Sequence, residues 1–125
     1  MDSQFDKGLA TRKRVMGDDF VANAFDKATD FTLPMQHYIT RNAWGDVWQR
    51  PGLDLKTRSL ITVAMLTALG KQHELKGHVR GALNNGATAE EISEVLLHAS
   101  IYCGVPSAEE AYRSAAEVVD APQTA

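Results

Sequence analysis

Residues 60–69 have the sequence LITVAMLTAL, and this apolar run is the strongest indication of how the chain folds. Its only polar residues, Thr62 and Thr67, lie about 140° apart on a helical wheel, so they form no common polar face. A helix that is apolar on all sides must be buried on all sides. One chain of 125 residues can hardly enclose such a helix, so we expect a second subunit to cover part of it. The run is too short to cross a lipid bilayer.

Helix start and stop signals continue on both sides of this run. Asp54 is the predicted N-cap of the central helix, which covers Leu55–Leu69 and ends at Gly70. Period-2 alternation does not persist over the length of a strand, so the sequence predicts an all-α fold of six to seven helices. We expect one compact domain over residues 1–125. Six further helices are predicted besides this central, fourth one. They are the first at 3–16, the second from Asp18 or Asp19, the third from Pro34 toward Trp48, the fifth at 71–84, the sixth from Thr88 to Gly104 and the last at 107–119.

The composition limits the classes of function. The 13 basic and 16 acidic residues give a net charge of −3, and no basic stripe is visible. We therefore expect no binding to nucleic acid or to a membrane surface. Cys103 is the only cysteine, which excludes an internal disulfide and a CxxC redox motif. Together with the lack of a signal-peptide pattern, this predicts a cytoplasmic protein. The position of Cys103 beside an apolar stripe predicts a buried thiol.

The fifth predicted helix carries the first candidate for acid–base chemistry. Glu74 precedes His78 by one helical turn, and His78 borders an apolar stripe that includes Leu75 and Val79. A half-buried imidazole beside a carboxylate is suited to proton transfer near neutral pH. The same pair is also common as a purely structural contact, and the residue pattern alone favours that interpretation.

A second polar edge is predicted on the sixth helix, where Glu94, His98 and Tyr102 follow one another at intervals of one turn. These side chains could form a wall of a pocket or simply satisfy one another at a helix boundary. A zinc site built from His78, His98 and Glu74 would lack the HExxH type of spacing. We therefore predict no metal site.

Two tryptophans and several arginines complete the candidate residues. Trp44 and Trp48 lie one turn apart and fit either the roof of an apolar pocket or the core of a small domain. Arg41 precedes them on the same predicted helix. Arg58 lies in the first turn of the central helix, where a cation is poorly placed for the helix dipole and can serve an anion or an acidic neighbour instead.

These residues also carry a resemblance that covers nearly the whole chain, from about residue 8 to residue 119. The chain resembles the carboxymuconolactone decarboxylases. The similar segments, in order, are WGDVWQRPGL (44–53), TRSL (57–60), ELKGHVRGALNNG (74–86), EVLLH (94–98) and YCGVP (102–106).

The same superfamily includes alkylhydroperoxidase D-like proteins, which carry a CxxCxxxH motif on the equivalent helix. His78 matches the histidine of that motif, whereas Lys71 and Glu74 occupy the two cysteine positions. Ser59 occupies the position of a glutamate that lies about three turns earlier. A peroxidase relay needs thiolates, so we expect no peroxide-dependent activity. His78 is the one polar position that is shared.

The resemblance implies decarboxylation of 4-carboxymuconolactone to the enol-lactone of 3-oxoadipate, a step in protocatechuate breakdown. The electrons of the departing carboxylate flow onto the lactone carbonyl, so no cofactor is needed. The resemblance best supports His78, as general acid or oxyanion donor. The chemistry of a substrate with two carboxylates suggests the other roles. These are Glu74 to orient His78, Arg58, Arg80 and Arg41 to hold carboxylates, His98 and Tyr102 as pocket donors, and Trp44 and Trp48 as walls.

The resemblance further implies a ring-like homo-oligomer, often a hexamer. Two alternatives to this activity stay open. The chain could be a related enzyme that acts on another small unsaturated acid or lactone. It could also be a non-catalytic helical assembly module whose polar residues are structural pairs.

Overall fold

The computed structural model describes residues 2–122, which form two compact units with their boundary between Leu55 and Lys56. Residues 2–122 contain no strand, so the predicted all-α class is confirmed, as is the predicted number of helices. The expectation of one domain stays a prediction. The α-helices are α1 (Ser3–Met16), α2 (Asp18–Asp26), α3 (Leu33–Ile39), α4 (Leu55–Leu69), α5 (Gln72–Asn84), α6 (Ala89–Cys103) and α7 (Val105–Val119).

Unit 1 depends on a close approach between α1 and the chain after α3. A Cβ atom on Gly8 would overlap the carbonyl oxygen of Thr40 and would lie 2.7 Å from the amide nitrogen of Gly45. A Cβ atom on Gly45 would in turn overlap the carbonyl oxygen of Gln4. The two backbones meet where neither residue has a side chain, so only glycine fits at these positions.

The predicted continuous helix from Pro34 toward Trp48 is wrong. The α-helix ends at Ile39, and the chain continues as a π-helical turn (Thr40–Trp44) and then a 3₁₀ turn (Val47–Gln49). A π turn holds an extra residue and is therefore wider than an α turn. The widened turn coincides with the contact between Gly45 and α1, a close backbone approach that helical periodicity does not reveal.

A buried arginine, Arg12, links α1 to α3 and to the π-helical turn. Arg12 is only 5% exposed, and its guanidinium donates hydrogen bonds to Oγ1 of Thr40 at 3.1 Å and Oε1 of Gln36 at 2.9 Å. It also lies over the ring of Phe25, 5.8 Å from the ring centroid. Burial lowers the pKa of Arg12. The apolar core of unit 1 is formed by Val15, Met16, Val21 and Trp44.

In unit 2, the α4 helix buries one side and exposes another. Val63 and Thr67 are fully buried, and the hydroxyl of Thr67 donates to the carbonyl oxygen of Val63 at 2.8 Å. This bond satisfies the hydroxyl within the helix. Ile61, Met65 and Leu69 are 37%, 59% and 67% exposed. Within one chain the helix is thus not buried on all sides. The core of unit 2 consists of Val63, Leu75, Val79, Ala82, Ala87, Ile92, Leu96, Ala111 and Ala115.

The predicted capping box of α6 is confirmed, whereas two other predicted boundaries shift. Neither of the predicted caps, Asp18 and Asp19, precedes α2, because both lie inside the helix and Gly17 is its N-cap residue. The last helix begins at Val105 rather than at residue 107, with Pro106 in its first turn. Proline is well suited to a first turn because its missing N–H would have no partner there.

The capping box makes one acidic residue a source of pH-dependent stability. Glu91 accepts a hydrogen bond from Lys56 at 2.9 Å and another from the amide of Thr88 at 2.9 Å. The contact with Lys56, followed by that with Thr88, lowers the pKa of Glu91 below its ordinary value of 4.5. The resulting stabilisation is present above pH 4.5 and is lost as the pH falls through the lowered pKa.

We expect Glu91→Gln to reduce the free energy of unfolding at pH 7 by more than it does at pH 3. Urea unfolding followed by circular dichroism at both pH values measures this difference. Glu90→Gln is the matched control, because Glu90 lies in the same first turn and forms no ion pair within residues 2–122. A loss of stability at Glu91→Gln that is equal at both pH values would contradict the assignment.

Candidate active site

A groove with a volume of about 670 Å³ lies between α4 and α6 in unit 2. This volume is in the range of small-molecule sites, about 300–1,000 Å³. The groove is open to solvent and mostly apolar. Its lining residues are Thr57, Leu60, Ile61 and Ala64 of α4, and Glu94, Val95, His98, Ala99, Tyr102 and Cys103 of α6.

Most polar side chains of the groove come from one edge of α6. Glu94, His98 and Tyr102 follow one another along this edge, and all three are exposed. The rings of His98 and Tyr102 lie 5.1 Å apart, measured between centroids, with an angle of 40° between their planes. The structure thus brings these two predicted pocket residues together, next to a carboxylate.

The charge of the groove is unfavourable for a dianion. Glu94 contributes an acidic group, and no lysine or arginine is among the lining residues in the described part of the chain. A substrate with two carboxylates needs cations close to its oxygens. The groove of one chain therefore suits an apolar or neutral group better than a dicarboxylate.

His78 lies elsewhere in unit 2, on α5, and does not line the groove. Its side chain is half-buried and its Nδ1 atom is enclosed, beside the fully buried Leu75 and Val79. The predicted partial burial of His78 is therefore confirmed. Glu74 is exposed in the first turn of α5, where a negative charge also complements the helix dipole. The position of Glu74 fits both interpretations of the Glu74–His78 pair, proton transfer and a purely structural contact.

Two of the predicted carboxylate-binding arginines lie in unit 2. Arg58 is half-buried in the first turns of α4, and its Nε atom is enclosed. Arg80 is also half-buried, and its Nη2 atom donates to the carbonyl oxygen of Val118 at 3.3 Å. This bond attaches the guanidinium to the carboxyl end of α7, where a cation is favourable for the helix dipole.

The third arginine, Arg41, belongs to unit 1 and forms an ion pair there. Its Nε atom lies 3.0 Å from Oδ2 of Asp2, and both side chains are 48% exposed. The amide of Phe5 and, to a lesser extent, the contact with Arg41 lower the pKa of Asp2. Arg41 therefore connects the start of α1 to the π-helical turn.

The two tryptophans stack on each other in unit 1. Their ring centroids lie 4.4 Å apart with 28° between the planes. Trp44 is only 5% exposed and packs with Val15, Met16 and Val21, whereas Trp48 is half-buried. The environment of Trp44 is thus that of a core residue, the second of the two interpretations that the sequence left open.

The prediction of a buried thiol at Cys103 is wrong. Cys103 is exposed and lines the groove. It follows Val95 and Ala99 on α6 at intervals of one turn, and this spacing places it on their side of the helix but does not reveal whether a neighbouring helix covers it. Thr57 was likewise not predicted as a groove residue.

Within residues 2–122, no three histidine, cysteine, aspartate or glutamate side chains are arranged to bind a metal ion. No helix in this range has the length and hydropathy to span a bilayer.

Comparison with known proteins identifies relatives for most of the chain. The sequence profile of the carboxymuconolactone decarboxylase family matches residues 34–117. The nitrosuccinic acid decarboxylase npaB of Metarhizium robertsii is 53% identical over 107 residues, which cover 86% of this chain and 75% of the relative. The 4-carboxymuconolactone decarboxylase of Acinetobacter baylyi is 43% identical over 117 residues, which cover 94% of this chain and 87% of the relative.

Proposed function

Because this chain belongs to the carboxymuconolactone decarboxylase family, we propose that it decarboxylates a small dicarboxylic acid that carries its own electron sink. The sink is an oxygen of the substrate onto which the electron pair of the broken C–C bond is delocalised. The 53% identity to a nitrosuccinic acid decarboxylase carries the proposal and makes nitrosuccinate the first substrate to test.

The chemistry is the same for both relatives' substrates. In nitrosuccinate, CO₂ leaves the carbon that bears the nitro group, and the electron pair moves onto a nitro oxygen to form a nitronate. In 4-carboxymuconolactone, the pair moves through the ring double bond onto the lactone carbonyl oxygen. Protonation on carbon completes either reaction. The enzyme must therefore hold two carboxylates, stabilise an oxyanion and supply a proton.

His78 is our proposed proton donor. Its half-buried position at the edge of the unit 2 core limits solvent access to the imidazole, and its Nδ1 atom is enclosed. Glu74, one turn earlier on α5, is the proposed partner that orients it. A positioned acid of this kind typically contributes about 10²–10⁴-fold to the rate.

Arg58 is a better candidate than Arg80 for holding a carboxylate of the same substrate. Arg80 lies about 200° from His78 around the axis of α5, so its side chain leaves the opposite side of the helix. Because Arg80 leaves the side of α5 opposite His78, we assign the carboxylate contact to Arg58 instead.

4-Carboxymuconolactone is the second candidate substrate, and a different observation favours it. The alignment with the Acinetobacter baylyi enzyme covers 94% of this chain and 87% of the relative, which is more of both chains than the alignment with npaB covers. The resemblance seen in the sequence alone also predicts this substrate.

A substrate panel tests the proposal. We expect the purified protein to release CO₂ from nitrosuccinate with a higher kcat/KM than from 4-carboxymuconolactone, and to leave succinate, which has no electron sink, unchanged. The reverse order of the first two substrates would favour the second candidate. Absence of turnover with both substrates would contradict the proposed substrate class and favour the interpretation as an assembly module.

A further inference from the structure

One side-chain hydrogen bond joins the end of α5 to the beginning of α4. Nδ2 of Asn85 donates to Oγ of Ser59 at 3.0 Å, and Ser59 is fully buried. Asn85 is the C-cap residue of α5, and Ser59 lies in the second turn of α4. Gly70 and Lys71 connect the two helices at their other ends. The bond therefore closes the α4–α5 hairpin at the end opposite its connection.

Asn85 lies on the same side of α5 as His78. Seven positions separate the two residues, so they stand about 20° apart around the helix axis and about 10 Å apart along it. The amide of Asn85 still donates to the carbonyl oxygen of Gly81 at 3.0 Å, so its backbone follows the helix to this point. The side of α5 that carries the proposed proton donor is thus the side that the Asn85–Ser59 bond holds against α4.

The residue before Ser59 is Arg58, which we assign to a carboxylate of the substrate. The hydroxyl of Thr62 donates to the carbonyl oxygen of Arg58 at 2.7 Å. The turn that carries Arg58 is therefore bonded within α4 and, through Ser59, to α5. A shift of α4 along α5 would change the distance between the Arg58 guanidinium and the His78 imidazole, and the Asn85–Ser59 bond opposes such a shift.

We propose that Asn85 and Ser59 are positioning residues for the decarboxylation, because their hydrogen bond holds Arg58 and His78 at the spacing that the substrate requires. This inference rests on the proposed function and extends it to two residues that act through Arg58 and His78. The carboxylate held by Arg58 places the reacting carbon, and His78 must meet that carbon to protonate it. A misplacement of about 1 Å can lower a rate by about 10²-fold.

Ser59→Ala removes the acceptor of the bond and tests the proposal. We expect kcat to fall by about 10–100-fold, because the proton donor and the bound carboxylate are no longer aligned. KM should change by less than about threefold, because Arg58 itself is kept. Asn85→Ala removes the donor instead, and the same loss is expected. It leaves the buried Ser59 in place, so it serves as the test if Ser59→Ala does not fold.

Ser114→Ala is the matched control. Oγ of Ser114 donates to Oε1 of Gln72 at 2.6 Å, so this change also deletes a buried hydroxyl that bonds a side-chain amide of α5. Gln72 lies about 120° from His78 around the helix, and its bond leads to α7 instead of α4. We expect Ser114→Ala to keep the wild-type kcat.

A second background separates positioning from a loss of structure. In His78→Ala, the added change Ser59→Ala should lower the residual turnover by no more than about twofold, because the spacing to an absent imidazole no longer matters. A merely structural role would lower turnover by the same factor in both backgrounds.

A binding measurement tests the same geometry without turnover. Succinate is a dicarboxylate without an electron sink, so it can occupy the site but does not react. We expect succinate to shift the NMR signal of the His78 imidazole in the wild type and in Ser114→Ala, and to shift it clearly less in Ser59→Ala. Among the four histidines, the His78 signal is identified by its loss in His78→Ala.

An active wild type whose kcat is unchanged by Ser59→Ala and Asn85→Ala would overturn the positioning role and leave the proposed function intact. Equal losses in the wild-type and His78→Ala backgrounds would overturn it as well. A wild type that turns over neither substrate contradicts the proposed function, and the succinate measurement then decides the positioning role. An equal shift of the His78 signal in the wild type and Ser59→Ala, or no shift in the wild type, would overturn it.

Discussion

His78→Ala is expected to lower decarboxylase turnover by about 10²–10⁴-fold, the usual contribution of a positioned acid or base. His78 lies at the edge of the unit 2 core and not in it, so the fold should survive the change. Steady-state CO₂ release from nitrosuccinate and from 4-carboxymuconolactone measures the effect. Circular dichroism of the same samples separates a loss of chemistry from a loss of structure.

His73→Ala is the matched control for this experiment. His73 lies on the same helix, is exposed and has no place in the proposed site, so its loss should leave turnover unchanged. His98→Ala tests the groove, and we expect a smaller loss if His98 only shapes a pocket. A near-wild-type rate for His78→Ala together with an inactive His98→Ala would move the site to α6. Activity in both variants would mean that the proton comes from another group.

Gly8→Ala is expected to destabilise unit 1 by about 3 kcal/mol, at the upper end of the usual cost of overpacking. Helix propensity alone predicts the opposite sign, because alanine stabilises a helix interior by about 1 kcal/mol relative to glycine. The added methyl group would overlap the carbonyl oxygen of Thr40 and approach the amide of Gly45, and both are backbone atoms that cannot rotate away. Urea unfolding followed by tryptophan fluorescence reports on unit 1, since Trp44 and Trp48 both lie there.

Gly52→Ala provides the control, because no heavy atom lies within 4 Å of the Cβ position at Gly52. This variant should change the free energy of unfolding by no more than about 0.5 kcal/mol. A Gly8→Ala variant that is more stable than the wild type would show that α1 does not approach the π-helical turn as described.

The segments with strong periodicity and clear end signals could be predicted from the residues alone. The apolar run of α4 ends at a glycine, and the Thr88–Glu91 capping box marks the start of α6, so local side-chain patterns identify both helices. The partial burial of His78 was likewise predictable, because the stripe through Leu75 and Val79 determines which side of α5 packs inward. The resemblance to the family was visible in the sequence because each of the similar segments is an unbroken run of residues.

Other features depend on residues that are distant in sequence and meet only in the folded chain. The π-helical turn lies at the contact of Gly45 with α1, and Arg80 is held by Val118, which is 38 residues away. The exposure of Cys103 likewise depends on whether a neighbouring helix covers that side of α6. Periodicity reports which side of a helix packs inward but not the distance to its neighbour. Local sequence therefore determined the helices and their buried sides, and the tertiary structure decided the groove, the π turn and the exposure of Met65 and Leu69 on α4.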